Sequence, residues 1–436
     1  MRIVYVLLTY LVAPVVIVLE AWKALWNPEY RGRLQHRFGL VAAQARPGCL
    51  WVHAVSVGEV QAAAGLIHEL RRAIPGIDVL LTTVTPTGAQ HARTLFGTEV
   101  RHCYLPYDLP GSVRRFLDRI RPSVAIILET EIWPTLYHAL GQRHIPLVLA
   151  SARVSTRSVD RYRRMASLFR ETLSHGILIG AQSAADAERF RAIGAAPDRV
   201  RVTGNVKFDM QIPQSSVDAG RGFRAQCAAA RPVWIAGSTH EGEEEAVLAA
   251  HDSVRLRHPS ALLILVPRHP QRFEAVRGLL RRRGGGFAQR SSGGMPGERD
   301  DVFLVDTLGE LQSFYAAADV AFVGGSLVPI GGHNVLEPAV LGLPMLSGPH
   351  THNAQDIAEM LVLAGALRIV RSRDDLAQRV TACFDDPGRA REDGAKGRQA
   401  VAESRGAVQR LVAMVLPLLN PRASATAAEP ESSGSH

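Results

Sequence analysis

The stretch Cys49-Leu-Trp-Val-His-Ala-Val-Ser-Val-Gly-Glu-Val60 decides how the rest of the chain is read. Cys49–Ala54 has the length and apolar character of a strand buried on both faces. A turn of small residues follows, and the apolar spacing over Val60–Ile74 predicts a helix. The same unit recurs downstream. Asp78–Thr83, Val124–Glu129, Pro146–Ala150 and Gly176–Gly180 read as buried strands, and Gly111–Arg121 and Trp133–Arg143 have helical spacing. After a polar, Pro-containing stretch at 209–231 the alternation restarts. Strands are expected at Val233–Gly237, Leu262–Val266, Val302–Asp306, Val320–Gly324 and Pro344–Leu346. Strand–helix alternation of this kind places the chain in the α/β class, with parallel sheets and right-handed crossovers. Such sheets bind ligands at the carboxyl ends of their strands, so the chemistry is sought in the loops that follow them.

Composition bounds the alternatives. The chain has 436 residues, enough for two domains with separate cores, and 47% hydrophobic with 21% charged residues excludes general disorder. Four cysteines (Cys49, Cys103, Cys227, Cys383) lie far apart without a CxxC pair. That spacing suggests neither a disulfide framework nor a zinc ribbon, and it fits a reducing compartment. The formal net charge is +9, yet among 50 basic residues only Lys23, Lys207 and Lys396 are lysine. A GC-rich coding sequence accounts for most of that bias, although arginine forks also suit phosphate and carboxylate partners. No basic run is interleaved with aromatics, so nucleic acid is not an expected partner. The Ala/Ser/Pro/Glu-rich tail from Asn420 is expected to be disordered.

The N-terminus reads as a membrane anchor. Ile3–Leu19 is uncharged and mostly apolar, with Pro14 inside it. As a helix it would reach about 25 Å, the short limit for a hydrocarbon core of about 30 Å. Trp22, Trp26 and Tyr30 suggest an interfacial belt, and Lys23, Arg31, Arg33 and Arg37 a positive flank that keeps the body on the cytoplasmic side. No A-x-A-like site follows the apolar run, and the positive flank opposes export, so a cleaved signal peptide is disfavoured. The anchor either spans the bilayer or sits deeply in its interface.

Several loops after strands carry reactive residue types. Ser56 and Gly58 allow a tight turn whose amides could face an anion, with Glu59 in or near the first helical turn. Glu59 is then either a complement to the helix dipole, with Ser56 as cap, or a general base facing a cleft between domains. The hydroxyl-rich turn Thr82–Gly88, containing Thr85, suits a polar ligand. Glu129 and Glu131 form an acid pair at a strand end, where paired carboxylates bind hydroxyls or move protons. Arg153 follows the next strand, and Lys207 stands out in a chain that otherwise uses arginine. In the second half, the acidic run Glu243–Glu245 reads as a solvated first helical turn rather than a metal site. Arg268, in Pro267-Arg268-His269-Pro270, stands where a phosphate could be clamped. The glycine-rich segment Gly324–Pro338 lacks the P-loop Lys-Ser/Thr and the GxGxxG pattern, which argues against an ATPase or a simple dinucleotide site. It still suits a nucleotide phosphate, with Glu337 one turn inside the following helix. His333, His350 and His352 lack metalloprotease-type spacing, so no metal site is expected.

Taken together, WVHAVSVGEV, TTVTPTG, ETEIWP, SARVS, GNVKFD, GSTHEGEE, VPRHPQRF and GGSLVPIGGHNVLEPA occur in that order over residues 51–338. This constellation resembles the 3-deoxy-D-manno-octulosonic acid (Kdo) transferases of Gram-negative lipopolysaccharide synthesis. The resemblance implies a GT-B glycosyltransferase, two Rossmann-like domains facing a cleft, with an N-terminal membrane anchor helix. The expected organisation is anchor and basic flank 1–36, acceptor-binding domain 37–210, linker 211–231, CMP-sugar-binding domain 232–419 and disordered tail 420–436. It further implies inverting transfer of Kdo from CMP-Kdo to the tetraacylated lipid A precursor, at the cytoplasmic side of the inner membrane; CMP leaves as a monophosphate, so Arg268, Lys207 and a helix N-terminus could suffice, and neither cofactor nor metal is expected. By the same resemblance Glu59 is the general base and Glu131, Arg153 and Lys207 line the cleft; Ser56, Gly58, Thr85 and Glu129, read from the neighbouring loops, are expected on the same acceptor side. The resemblance points to Ser238, Arg268, Gly325, Asn334 and Glu337 as the CMP-sugar residues, and His269 and Gly332, in the same loops, are expected beside them. Another GT-B sugar-nucleotide transferase or an epimerase is the alternative enzyme, and a non-catalytic nucleotide-sugar binder the alternative outside catalysis.

Overall fold

The computed structural model describes residues 1–26, 33–41, 46–129, 131–154 and 166–419. Tyr30, Arg31 and the expected disordered tail 420–436 lie outside the described residues. The chain forms two compact units, one of Met1–Met210 with Arg405–His436, the other of Gln211–Ser404.

The first unit is built on seven parallel strands: β1 (Leu50–His53), β2 (Val79–Thr83), β3 (Arg101–Tyr104), β4 (Val124–Leu128), β5 (Leu147–Ala152), β6 (Leu178–Ala181) and β7 (Val200–Val202). Their order is β3-β2-β1-β4-β5-β6-β7. Helices cover both faces, which is why the inner strands are apolar at nearly every position rather than alternating. In β1, Trp51 enters one core with Phe116 and Tyr137, while Leu50 and Val52 enter the other with Leu66 and Ile67. The order reverses direction between β1 and β4, so the loops after those two strands open a crevice at the sheet's carboxyl end.

The second unit repeats the plan with β8 (Val233–Thr239), β9 (Leu262–Pro267), β10 (Gly286–Gln289), β11 (Asp300–Leu304), β12 (Val320–Val323), β13 (Met345–Ser347) and β14 (Leu367–Ile369). The order is β10-β11-β9-β8-β12-β13-β14, again all parallel. Its reversal falls between β8 and β12.

Three boundaries differ from the sequence-based expectations. The expected linker 211–231 contains the helix Gln214–Cys227, which belongs to the second unit. Its buried stripe is narrow, Gly220 and Phe223, so the segment looks polar overall. Phe223 stacks on Phe303 at 5.2 Å, and a Cβ on Gly220 would stand 2.1 Å from the Ser313 carbonyl oxygen. Gly220→Ala is therefore expected to cost roughly 1–3 kcal/mol, read as a lower urea midpoint at unchanged slope.

The domain expected to run to residue 419 ends earlier. The C-terminal helix Ala407–Leu419 inserts Val408, Leu411, Met414 and Val415 into the first unit's core beside Val60 and Leu66. Asp209 fixes its entry, accepting the Gly406 and Val408 amides at 2.6 Å each.

The expected basic flank is also different. Arg33 and Arg37, on the short helix Arg33–Arg37, are buried and hold that helix to the sheet's edge. Arg33 donates to the Val84 carbonyl at 2.6 Å and Arg37 to the Leu105 carbonyl at 2.7 Å. Their guanidinium groups cover the Tyr104 and Tyr107 rings. Carbonyls and aromatic faces occupy them, so they are not presented to lipid headgroups.

The N-terminal helix Arg2–Trp26 is long and apolar enough to cross a membrane. The Tyr5 hydroxyl donates to Asp108 at 2.9 Å, and ion pairs join Arg2 to Glu171 and Glu20 to Arg33 at 3.6 and 3.5 Å.

Candidate active site

At the β1/β4 reversal the structure gathers most of the first-unit residues expected from sequence. Glu59 is the third residue of the helix Val57–Ala73, whose N-cap is Ser56. Ser56 does not cap the helix with its side chain; its hydroxyl instead approaches Glu59 at 3.4 Å. The Glu59 carboxylate accepts the Val55 amide at 2.8 Å. Thr85 ties in the neighbouring loop, donating to the Val55 carbonyl at 3.2 Å and capping the helix Pro86–Phe96. A Cβ at Gly58 would meet no protein atom within 4 Å, so this turn presents bare backbone to open space.

Glu129 follows β4, and its carboxylate accepts a hydrogen bond from the Lys207 ammonium at 2.6 Å. Glu129 and Glu131 both act on Glu59 by like-charge repulsion. Burial, then these two carboxylates, push the Glu59 pKa up to about 7, while the Val55 amide and Lys207 pull it back. Glu131 is raised as well, chiefly by burial, then by Glu129, with the Trp133 indole opposing. The site thus holds one carboxyl group that changes protonation near neutrality beside an ion pair.

Two residues on this rim adopt left-handed backbone without being glycine, Glu129 at φ 56° and Ser151 at φ 54°. Such conformations cost of order 1–3 kcal/mol each and persist where surrounding contacts fix them. Ser151 is fixed by Gln182, which donates to its carbonyl at 2.8 Å, and by the Val206 amide, which donates to its hydroxyl at 3.3 Å. Asn205 donates to Gln182 and accepts the Lys207 amide, so this network sets the backbone that carries Lys207. Sequence reading missed Ser151 and Gln182 as supports; the strand-end position of SARVS was the available signal. Arg153 lies on the same rim just past β5, half-buried.

In the second unit the β8 and β12 loops meet across their reversal. Ser238, next to last in β8, is in the left-handed region at φ 58°. The expectation that Glu243–Glu245 forms a solvated turn is corrected here: Glu243 and Glu244 are each 0% exposed, and only Glu245 faces solvent. One Glu243 oxygen accepts the Ser326 and Leu327 amides at 2.9 and 2.8 Å. The other accepts His240 and Gly325 at 3.0 and 2.7 Å. Four backbone donors thus converge on one carboxylate, which shapes the glycine-rich loop. Gly325 has φ 68°, and a Cβ there would stand 2.8 Å from the His333 ring. Gly332 closes the loop by donating to the Gly325 carbonyl at 2.7 Å.

Three imidazoles pack in this loop region. His240 and His333 stack, with their Nε2 atoms 2.7 Å apart, and His269 stands edge-on to His240. One Nε2 must donate and the other accept, so the pair cannot be protonated at both. Burial, then Arg268 and the other two histidines, push His333 down to about 3. His240 and His269 are lowered too, mainly by burial. The exposed Arg268 therefore supplies the positive charge beside a neutral imidazole cluster. Among the described residues no group of three or more His, Cys, Asp or Glu side chains is arranged to hold a metal ion. Asn334 accepts the Leu336 amide at 3.1 Å. Glu337 is the second residue of the six-residue helix Leu336–Leu341, in its first turn rather than one turn inside as expected. Burial raises its pKa, while Gln312, Arg268 and Asn334 oppose the rise. Sequence reading missed Glu243 and Gln312; an acid just ahead of a helix looks the same whether it meets water or amides.

A family profile described as "3-Deoxy-D-manno-octulosonic-acid transferase (kdotransferase)" matches residues 32–210. The chain is 38% identical over 421 residues to the 3-deoxy-D-manno-octulosonic acid transferase of Haemophilus influenzae, spanning 96% of this chain and 99% of that one. The corresponding protein of Bordetella pertussis is 39% identical over 364 residues, covering 79% and 83%. A UDP-GlcNAc 2-epimerase from Neisseria meningitidis superposes over 84% of this chain and 99% of its own with a TM-score of 0.57. At 16% identity that likeness concerns the fold alone, which is of the GT-B type. Near-complete coverage at this identity settles the family: the chain belongs to the 3-deoxy-D-manno-octulosonic acid transferases, which are glycosyltransferases.

Proposed function

We propose that the protein transfers Kdo from CMP-Kdo to the tetraacylated lipid A precursor, with inversion, at the cytoplasmic face of the inner membrane. The observation that carries this reading is Glu59, a carboxyl group poised near pH 7 at the β1/β4 reversal, beside Glu129, Glu131 and Lys207. In the proposed step the acceptor hydroxyl oxygen bonds to the anomeric carbon of Kdo, and its proton passes to Glu59. The anomeric C–O bond to phosphate breaks, with the electron pair leaving on CMP. General-base removal of a hydroxyl proton works best when the base titrates near the working pH. Arg268 and the backbone of the glycine-rich loop suit the departing phosphate in charge and hydrogen bonding. Glu337, Asn334 and Gly332 are assigned to the nucleotide side, and Ser56, Gly58, Thr85 and Arg153 to the acceptor side.

Mass spectrometry of the lipid A precursor after incubation with enzyme and CMP-Kdo tests donor and acceptor together. A product heavier by whole Kdo residues is expected. Transfer from UDP-sugars only, or no turnover beyond one equivalent, would overturn the reading. Lys207 offers a finer test, because its charge holds the Glu59 pKa down and neutralises Glu129. Lys207→Ala is expected to move the acid limb of the kcat–pH profile upward by about half a unit. An unmoved limb would place Lys207 outside this electrostatic group.

A further inference from the structure

We propose that His333 is a further catalytic residue, donating a hydrogen bond from Nδ1 to the departing phosphate, with His240 as the positioning residue that fixes its tautomer. The proposal rests on the CMP-Kdo reading above. Its starting point is that much of the glycine-rich loop's backbone is already engaged. The Gly325, Ser326 and Leu327 amides end on Glu243. The Gly332 amide ends on the Gly325 carbonyl, and the His333 amide on the Gly324 carbonyl. These donors are committed within the protein, so a phosphate here draws on side chains and on the loop's remaining amides.

The imidazole contact decides which side chain. The Nε2 atoms of His240 and His333 are 2.7 Å apart, and the two ring planes differ by 8°. Of two neutral imidazoles in that contact, one donates its Nε2–H and keeps a bare Nδ1. The other accepts at Nε2 and carries its proton on Nδ1. Only the accepting ring can donate outward to an anion. Neighbouring charge selects that ring. Arg268 is the charge that acts most strongly on His333, whereas on His240 the Glu243 carboxylate acts more strongly than Arg268. An anion is drawn to His333 and repelled from His240. His269 and Arg272 complete the charged and titratable groups around the pair. Arg268 then supplies the positive charge, and the imidazole adds a directed N–H without a second charge that would retain CMP after transfer. As the anomeric C–O bond breaks, its electron pair settles on the phosphate oxygen and the Nδ1–H bond to it strengthens. The proton stays on His333.

The experiment measures transfer rates of the full chain in detergent. His333→Ala should lower kcat by about 10²-fold, with KM for CMP-Kdo changed by less than about threefold. That split is expected because the bond strengthens only as charge builds on the leaving oxygen. His333→Asn returns an N–H to the Nδ1 position and should recover kcat to within about tenfold of the parent. His333→Gln extends its amide to the Nε2 position instead and should resemble the alanine variant. His240→Gln can still donate toward His333, so it should keep about tenfold more kcat than His240→Ala. Parent-like kcat in His333→Ala, or equal kcat in the asparagine and glutamine variants, would overturn the proposal. The asparagine–glutamine comparison decides even where alanine loosens the loop. Calorimetric titration with CMP separates this assignment from the donor reading. A parent chain that binds CMP and transfers Kdo, but whose His333 variants do the same, removes the imidazole role alone. A parent chain that binds no CMP removes both.

Discussion

Glu59→Gln is expected to lower kcat by about 10³-fold while leaving donor binding intact, as for removal of a positioned general base. Gln keeps the shape and can still accept the Val55 amide, so the turn and helix entry should persist. The pH dependence gives the stronger signature. The pKa of Glu59 rises from an ordinary value of 4.5 to about 7 in the folded chain, with burial as the largest cause. Only the ionised form can take a proton, so activity should rise with pH through an apparent pKa near 7. Stability runs the other way. A carboxyl group whose pKa is raised by folding contributes stability that is complete below about 4.5 and lost as pH climbs through 7. Relative to the parent chain, Glu59→Gln should therefore gain stability from pH 5 to pH 8, by up to about 3 kcal/mol on the full shift. Urea denaturation at pH 5 and pH 8, paired with single-turnover rates, checks both. Residual turnover within tenfold of the parent would remove Glu59 from the base role.

Glu243→Ala is expected to be the most damaging single change in the second unit. It leaves the amides of His240, Gly325, Ser326 and Leu327 without their acceptor at a site with no solvent exposure. Loss of one partner in a buried charged network costs roughly 3–5 kcal/mol, because the stranded donors lose their hydrogen bonds without regaining water. The glycine-rich loop should lose its fixed shape, so CMP affinity should fall together with the calorimetric transition. Glu243→Gln retains an acceptor oxygen but turns an amide NH₂ toward two of the donors, and should fall between the two. A Glu243→Ala protein that unfolds at the parent temperature would show that this carboxylate does not hold the loop.

The centre of each sheet was readable from sequence, and its margins were not. Every expected strand is present within a few residues, since strands covered on both faces are uninterrupted apolar runs. The four strands that were not anticipated, β3, β7, β10 and β14, are the four sheet edges. Each leaves some positions open to solvent, and Val200–Val202 is largely exposed, so the apolar signal fades there. The site shows the same division. Loops after strands singled out Glu59, Glu129 and Lys207, but the 2.6 Å pairing of Lys207 with Glu129 spans 78 residues and depends on sheet order. The stacking of His240 on His333, 93 residues apart, has no local signal either. Glu243 was misread because an acidic run before a helix suits water and backbone donors equally well.

The C-terminal helix that completes the first unit's core has a consequence for biosynthesis. Val60, Leu66 and Ile67 leave the ribosome early, yet Leu411 and Val415, which cover them, come last. At roughly 5–20 residues per second the nascent first unit waits about 10–40 s with that apolar patch uncovered. The intervening second unit, by contrast, is continuous in sequence and can fold while the first is still incomplete. Chaperone occupancy should therefore peak on chains between residues 210 and 405 in length, and a stop codon before Ala407 should yield an aggregating product rather than a shortened enzyme.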